Sequence, residues 1–125
     1  MVSLIEHGEF ASLGVPELQQ KVASRRFRWR HFPIANMGTP ASLPAGRLRV
    51  LLDEVETALG KGEFVLFHCA AGLGRTGTMA ALTLIDGFGM PPEQAIATVR
   101  TSRPGTIESD EQMQFLLDAC PGATR

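Results

Sequence analysis

Val65-Leu-Phe-His68-Cys69-Ala70-Ala71-Gly72-Leu73-Gly74-Arg75-Thr76-Gly77 is the stretch around which the chain is organised. An apolar run ends in His-Cys, five small or apolar residues follow, and Arg-Thr-Gly opens a stretch of helical composition. A buried strand that turns through glycines into a helix aims its backbone N–H groups at one point. The helix start adds the positive end of its dipole there. Such a nest suits a phosphate-sized anion, with the N–H groups of Ala70, Ala71, Gly72, Leu73, Gly74 and Arg75 as the expected cradle. Cys69 at its base is expected to have a lowered thiol pKa and to serve as a nucleophile near neutral pH. Arg75 can grip two anionic oxygens with its planar fork. A buried core thiol is the alternative reading of Cys69, but it leaves the arginine and glycine offsets unexplained.

Gly72-Leu-Gly74-Arg-Thr-Gly77 also matches the G-x-G-x-x-G dinucleotide fingerprint. That fingerprint needs a second parallel strand ending in an acidic residue about 20 positions on. Here Met90 to Arg100 reads as another helix, so the glycine match is incidental. No Lys-Ser or Lys-Thr follows the glycines, which excludes a Walker-type nucleotide loop.

The 125 residues suffice for one modest domain, 1–125, with a single core. A net charge of −1 gives no field that would favour nucleic acid or an anionic membrane. The two cysteines, Cys69 and Cys120, make no disulfide framework, and a reactive Cys69 would prefer a reducing compartment. The apolar run near Met79 to Ile85 is too short to span a bilayer. The first residues lack the basic start of a secretory signal. The default expectation is a cytoplasmic protein, and the oligomeric state is left open. No His/Cys/Asp cluster has metal-ligand spacing, so neither metal nor other cofactor is expected.

In chain order, Val2 to Ile5 reads as a short buried strand. Val15-Pro16-Glu17 opens a helix toward Ser24, with Leu18 and Val22 on one face. Arg26 to Arg30 alternates like a half-exposed strand, and its arginines read as a solvated face rather than an anion site. His31-Phe-Pro-Ile-Ala-Asn-Met-Gly-Thr-Pro40 is rich in breakers and reads as a loop. Ser42 is the expected N-cap of a helix through Leu59, ended by Gly60-Lys-Gly62. Glu63 to Phe67 is the expected central strand, followed by a helix from Arg75 to about Gly87. Pro91-Pro92 starts the next helix. Ser109-x-x-Gln112 is a capping-box pattern for the last, with Met113, Leu116 and Leu117 inward. Three strands interleaved with helices give an α/β architecture, with the cysteine loop at a strand's carboxyl end, where such folds bind ligands. His68 is expected to hydrogen-bond loop backbone and fix Cys69, and the Thr76 hydroxyl to donate to the Cys69 sulfur.

The His-Cys-x5-Arg-Thr stretch resembles the signature loop of the cysteine-based protein tyrosine phosphatase superfamily. In its wider form, His68 to Met79, it resembles the small atypical dual-specificity members most. The likeness extends from Val2 to about Leu117. It implies a single-domain phosphotyrosine-phosphatase-like fold, a central, mostly parallel sheet of about five strands flanked by helices. Only three strands are evident, and the family usually carries more chain before its counterpart of Val2–Ile5. The polypeptide is therefore either naturally minimal or short at its N-terminus. His31-Phe-Pro-Ile-Ala-Asn36 is similar to the family's loop bearing a general-acid Asp, and Asn36 stands at the matching position. An amide cannot surrender a proton at neutral pH. Arg103-Pro-Gly-Thr-Ile-Glu108-Ser resembles a stretch that implies a role for Glu108 in activating the hydrolytic water, with Gln112 helping to hold it. The alternative makes Glu108 a first-turn acid complementing the helix dipole.

Together these readings predict a phosphomonoester hydrolase acting through a phosphocysteine on phosphorylated protein or a small phosphomonoester. The alternative is a phosphate-binding pseudophosphatase that lacks an efficient general acid. The loop carries no lysine, which argues against highly charged inositol phosphates.

Overall fold

The computed structural model describes residues 1–23, 28–44, 46–71 and 73–119. In chain order the elements are β1 (Val2–Ser3), α1 (His7–Ser12), α2 (Leu18–Ala23), β2 (Arg30–His31), a 3-10 turn (Pro40–Ser42), α3 (Arg47–Gly60), β3 (Phe67–His68), α4 (Gly74–Phe88), α5 (Pro92–Ser102) and α6 (Asp110–Leu117). The strands form one parallel sheet in the order β2-β1-β3. Val2 lies opposite Arg30 and Phe67, and Ser3 opposite His31 and His68. Single ladder bonds continue past the strand ends, from Leu4 N–H to His68 O and from Ile34 N–H to Leu4 O. The central strand is thus flanked on both edges, and Leu4 and Ile5 after it are fully buried. Both faces of the strand are covered, so polar Ser3 is as buried as its apolar neighbours Val2 and Leu4.

The core joins Val2, Leu4, Phe32 and Ile34 of the sheet region to Leu51, Leu52 and Val55 of α3 and to Met79, Leu82 and Ile85 of α4. Helix α4 is the hub, buried at nine of its positions and packed against α3, α5, α6 and β3. Its small residues permit this. A Cβ on Gly77 would lie 2.8 Å from Thr106 Cβ and 3.1 Å from Ile107 N, so the 106–107 turn sits directly against the helix backbone. Gly89 ends α4 in the left-handed conformation at φ 66°. Among the described residues, no helix is long and apolar enough to cross a membrane.

Several boundaries differ from expectation. Ser42 does not cap the long helix. It closes a 3-10 turn capped by Thr39, and α3 begins at Arg47 after a left-handed Gly46. Pro44 explains the break, because it disfavours helical backbone at the residue before it. The strand expected over Glu63–Phe67 as the central one pairs over Phe67–His68 and lies at an edge of the sheet, with β1 in the centre. The strand expected over Arg26–Arg30 is seen at Arg30–His31; residues 24–27 lie outside the described set. Helix α1 was not expected. None of its residues is buried, so it carries no apolar period, and its start is fixed by the Glu6 N–H donating to Glu9 Oε2 at 2.7 Å. Leu117 is exposed rather than inward. The capping box at Ser109 and Gln112 forms as expected.

Away from the sheet, α3 and α4 share a charged cluster. Arg49 grips Asp86 with two bonds of 2.7 Å and Asp53 with one of 3.0 Å. Glu56 hydrogen-bonds Asp86, and its buried Oε2 has no hydrogen-bond partner, 3.6 Å from Arg49 Nη2. One cation faces three carboxylates. Burial, then the hydrogen bond and charge of Asp86, push Glu56 up to about 7. The folded state therefore holds this proton more tightly than the unfolded chain, so stability is lost as pH rises from the ordinary carboxylate range toward neutrality. Thermal melts should show Tm falling across that window. Glu56→Gln should remove most of the fall and raise Tm at pH 8 by roughly 5 °C. Parallel melting profiles for the two proteins would show that Glu56 does not titrate there.

Candidate active site

β3 delivers His68 and Cys69 to the end of the sheet, the 70–73 loop turns back, and α4 starts at Gly74. Cys69 is half-buried, and Thr76, one turn into α4, donates its hydroxyl to Cys69 Sγ at 3.0 Å. Among the described residues the backbone N–H groups of Ala70, Ala71, Leu73, Gly74 and Arg75 have no acceptor in the fold. They are the orphan donors of a helix start and its lead-in loop, left for water or an anion to satisfy. Gly72 lies outside the described residues. The loop carbonyls do have partners. Leu73 O accepts from Ile107 N at 3.0 Å and Ala71 O from Arg103 Nη2 at 3.3 Å. The loop is thus anchored through its acceptors while its donors stay available.

Arg75 is only 2% exposed. Its Nη1 donates to Glu9 Oε2 at 2.7 Å and to Ile34 O at 2.9 Å, and its Nη2 to Glu9 Oε1 at 2.9 Å. Three of five donors are used. The two left, Nε–H and the second Nη2–H, lie on one edge of the guanidinium and form the fork that matches two oxygens of a phosphoryl group. Glu9 holds the cation firmly charged and is itself held well below the usual carboxylate range, chiefly by its hydrogen bond from Arg75. Sequence reasoning missed Glu9. Its only visible signal was a carboxylate three residues after Glu6 in an otherwise featureless segment.

The His68 ring hydrogen-bonds Ser3 Oγ, which also accepts the Trp29 indole N–H at 2.9 Å. Ser3 Oγ is thus shared between the Trp29 indole and His68 Nε2. Burial first of all lowers the His68 pKa, while a hydrogen bond to Cys69 backbone opposes it. His68 is therefore a strut between β1 and Cys69, through a side chain as well as through backbone.

Glu108 and Gln112 reach the other side of the loop. A Cβ on Gly74 would lie 2.8 Å from Glu108 Oε1 and 3.1 Å from both polar atoms of the Gln112 amide, so only glycine leaves room for them. Glu108 is exposed, whereas Gln112 is fully buried. The Gln112 carbonyl accepts from Glu108 N and Ser109 N, and its amide donates to Gly38 O at 3.0 Å. Ser109 Oγ donates to Met37 O at 2.8 Å. Gln112 is thus a staple between the 108–109 segment and the 35–38 turn, with one N–H to spare. Asn36 lies exposed in that turn, which closes from Gly38 N–H to Ala35 O and carries Met37 at φ 63°. Ile34 O on Arg75 and Gly38 O on Gln112 pin the segment on both sides of Asn36. Among the described residues no group of three or more His, Cys, Asp or Glu side chains could hold a metal ion.

A parallel sheet that hands a cysteine into an anion-binding loop, with a buried arginine at the loop's far end, is the architecture of the cysteine-based phosphatases. The model of the family described as the Swiss Army Knife protein, DSP-PTPase phosphatase domain (PTP-SAK) matches residues 11–116. The chain belongs to that family, and it is a cysteine-based dual-specificity phosphatase domain. It is similar to cyclin-dependent kinase inhibitor 3 of Mus musculus, at 32% identity over 87% of this chain and 51% of that protein. It is also similar to protein tyrosine phosphatase domain-containing protein 1 of Bos taurus, at 31% identity over 94% of this chain and 16% of the other. The chain thus spans about half the length of one relative and a sixth of the other. Among solved structures it superposes on Tk-PTP in the active form with a TM-score of 0.76 at 31% identity, covering 92% of this chain and 73% of that one. It superposes on kinase associated phosphatase, with the catalytic cysteine replaced by serine, at a TM-score of 0.81 and 29% identity, covering 92% and 64%.

Removing the Glu9 tether tests the arginine geometry. Glu9→Gln should lower kcat/KM on p-nitrophenyl phosphate by roughly tenfold or more and weaken vanadate binding in step, since the fork is no longer held in plane. Unchanged values of both would show that Ile34 O suffices to set Arg75.

Proposed function

We propose that this chain hydrolyses phosphomonoesters, phosphotyrosine in proteins foremost, through a phosphocysteine on Cys69. The Arg75 guanidinium carries this reading: three of its donors are fixed in the scaffold and one two-pronged edge is left over at the loop. The Cys69 thiolate attacks phosphorus in line, the S–P bond forms and the ester P–O bond breaks. The Arg75 fork and the loop N–H groups bind the equatorial oxygens as charge spreads over them. Water then attacks phosphorus, with Glu108 taking its proton, and the S–P bond breaks. The Thr76 hydroxyl stabilises the departing thiolate, and inorganic phosphate leaves. A lysine-free cradle suits a singly phosphorylated side chain better than a crowded inositol phosphate, and a reactive thiol suits a reducing compartment such as the cytoplasm.

Cys69→Ser should lower turnover by about 10⁴-fold or more while vanadate still binds, because the nest and Arg75 remain. Glu108→Gln should slow breakdown of the phosphocysteine more than its formation, giving a burst of product in stopped-flow assays. Acid-stable labelled phosphate on Cys69 tests the intermediate directly, and its absence from a turning-over enzyme would sink the mechanism.

The second reading, a phosphate-binding pseudophosphatase, is favoured by one observation: position 36 carries an exposed amide in the turn pinned beside Arg75. General acid catalysis is worth roughly 10²–10⁴-fold. Without it, activity should fall steeply as the leaving group's pKa rises, and phosphoserine should be the poorest substrate. Asn36→Asp should flatten that dependence and raise turnover on phosphotyrosine more than on p-nitrophenyl phosphate. A flat dependence in the unmutated protein would mean that another group, Glu108 first, already donates the proton.

A further inference from the structure

A cavity lies between α1, α2 and β2. Its volume is about 170 Å³, and it is lined by His7, Phe10 and Ala11 of α1, Gln19 of α2 with Pro16 just before it, and Trp29 and His31 beside and on β2. The rings make a continuous aromatic lining. Trp29 stacks on His31 at 5.5 Å between centroids, Phe10 meets His31 edge-on at 5.2 Å, and His7 meets Phe10 at 6.5 Å. A dry cavity of about 150 Å³ accommodates one benzene ring, so the space is one ring in size. Aromatic walls favour a planar ring, face to face or edge to face. The His7 ring nitrogens and the Gln19 amide supply hydrogen-bonding groups for one polar substituent.

Two walls of this cavity are the outer ends of the struts that hold the catalytic pair. Trp29 donates its indole N–H to Ser3 Oγ, and Ser3 hydrogen-bonds His68, next to Cys69. Phe10 follows Glu9 on α1, and Glu9 holds both ends of the Arg75 guanidinium. A ligand that shifts the Trp29 ring or rotates α1 acts on the nucleophile's support and on the arginine's tether together.

We propose that this cavity is a binding site for a small uncharged planar aromatic molecule with a single polar substituent, coupled to the phosphate site through Trp29–Ser3–His68 and through Glu9. The binding half is independent of the phosphatase reading. The coupling half rests on it.

Trp29 is the only tryptophan of the chain, so its indole N–H gives a single, unambiguous resonance at the cavity wall. Benzamide is the probe, and cyclohexanecarboxamide the non-planar control. Benzamide should move the indole signal saturably with a Kd of order 1 mM, as expected for so small a ligand, and the control should not. Ala11→Leu, which fills the cavity from α1, should abolish the benzamide shift. No saturable shift up to about 20 mM, or an equal response to the control, overturns the site. So does a shift unchanged in Ala11→Leu, since benzamide would then be bound elsewhere. For the coupling, saturating vanadate should change the benzamide Kd by about threefold or more, and benzamide the vanadate Kd by the same factor. Equal benzamide affinity with and without vanadate overturns the coupling. Vanadate that fails to bind at all also overturns it, by removing the phosphatase reading, while the benzamide shift still decides the site.

Discussion

A guanidinium cannot be buried unless its charge and its donors are satisfied, and Arg75 is nearly fully buried. Much of the site's geometry follows from how that demand is met. Glu9 must come from α1, so the segment after the central strand has to coil back over the end of the sheet. Ile34 must offer its carbonyl, so the chain leaving β2 passes beside the same arginine. The two partners together consume the three donors that would otherwise fold back on the protein. What remains of the side chain is a rigid two-pronged edge, and its rotamer entropy is spent during folding rather than at binding.

The carboxylate and the loop fasten one another in a similar way. Gly74 leaves a gap that the Glu108 carboxylate and the Gln112 amide occupy. Gln112 then spans to Gly38 and ties the 35–38 turn to α6. Position 36 is therefore presented on a braced turn and carries an amide. Asn and Asp are nearly isosteric and the bracing contacts come from neighbouring backbone, so Asn36→Asp would change the chemistry of that turn and not its shape.

The sequence disclosed the loop and the helices around it because those elements carry local signals. His68-Cys69 to Thr76 has fixed offsets, Pro92 and Ser109 mark helix starts, and α4 reads as apolar with small residues. The α1 helix was invisible because nothing on it is buried. Glu9 was invisible for a related reason, since its partner lies 66 residues away and a salt bridge of that span leaves no trace in spacing. The start of α3 was misplaced at Ser42, a good capping residue whose helix is prevented by Pro44. The short strands were legible as apolar runs or, before β2, as alternation, but their ends depend on neighbours in the sheet that spacing cannot supply.

The long span between Glu9 and Arg75 also bears on when the chain becomes reactive. The cysteine loop and the start of α4 are contiguous and can form locally. The sheet beneath them pairs β1 with β3 across most of the preceding chain, and parallel pairings of such separation form late because loop closure precedes their reward. A chain emerging from synthesis would expose its thiol before the arginine had been clamped by the carboxylate. The Glu9 clamp on Arg75 thus depends on docking of the amino-terminal strand and helix, so that side chain is set in place only as the fold closes.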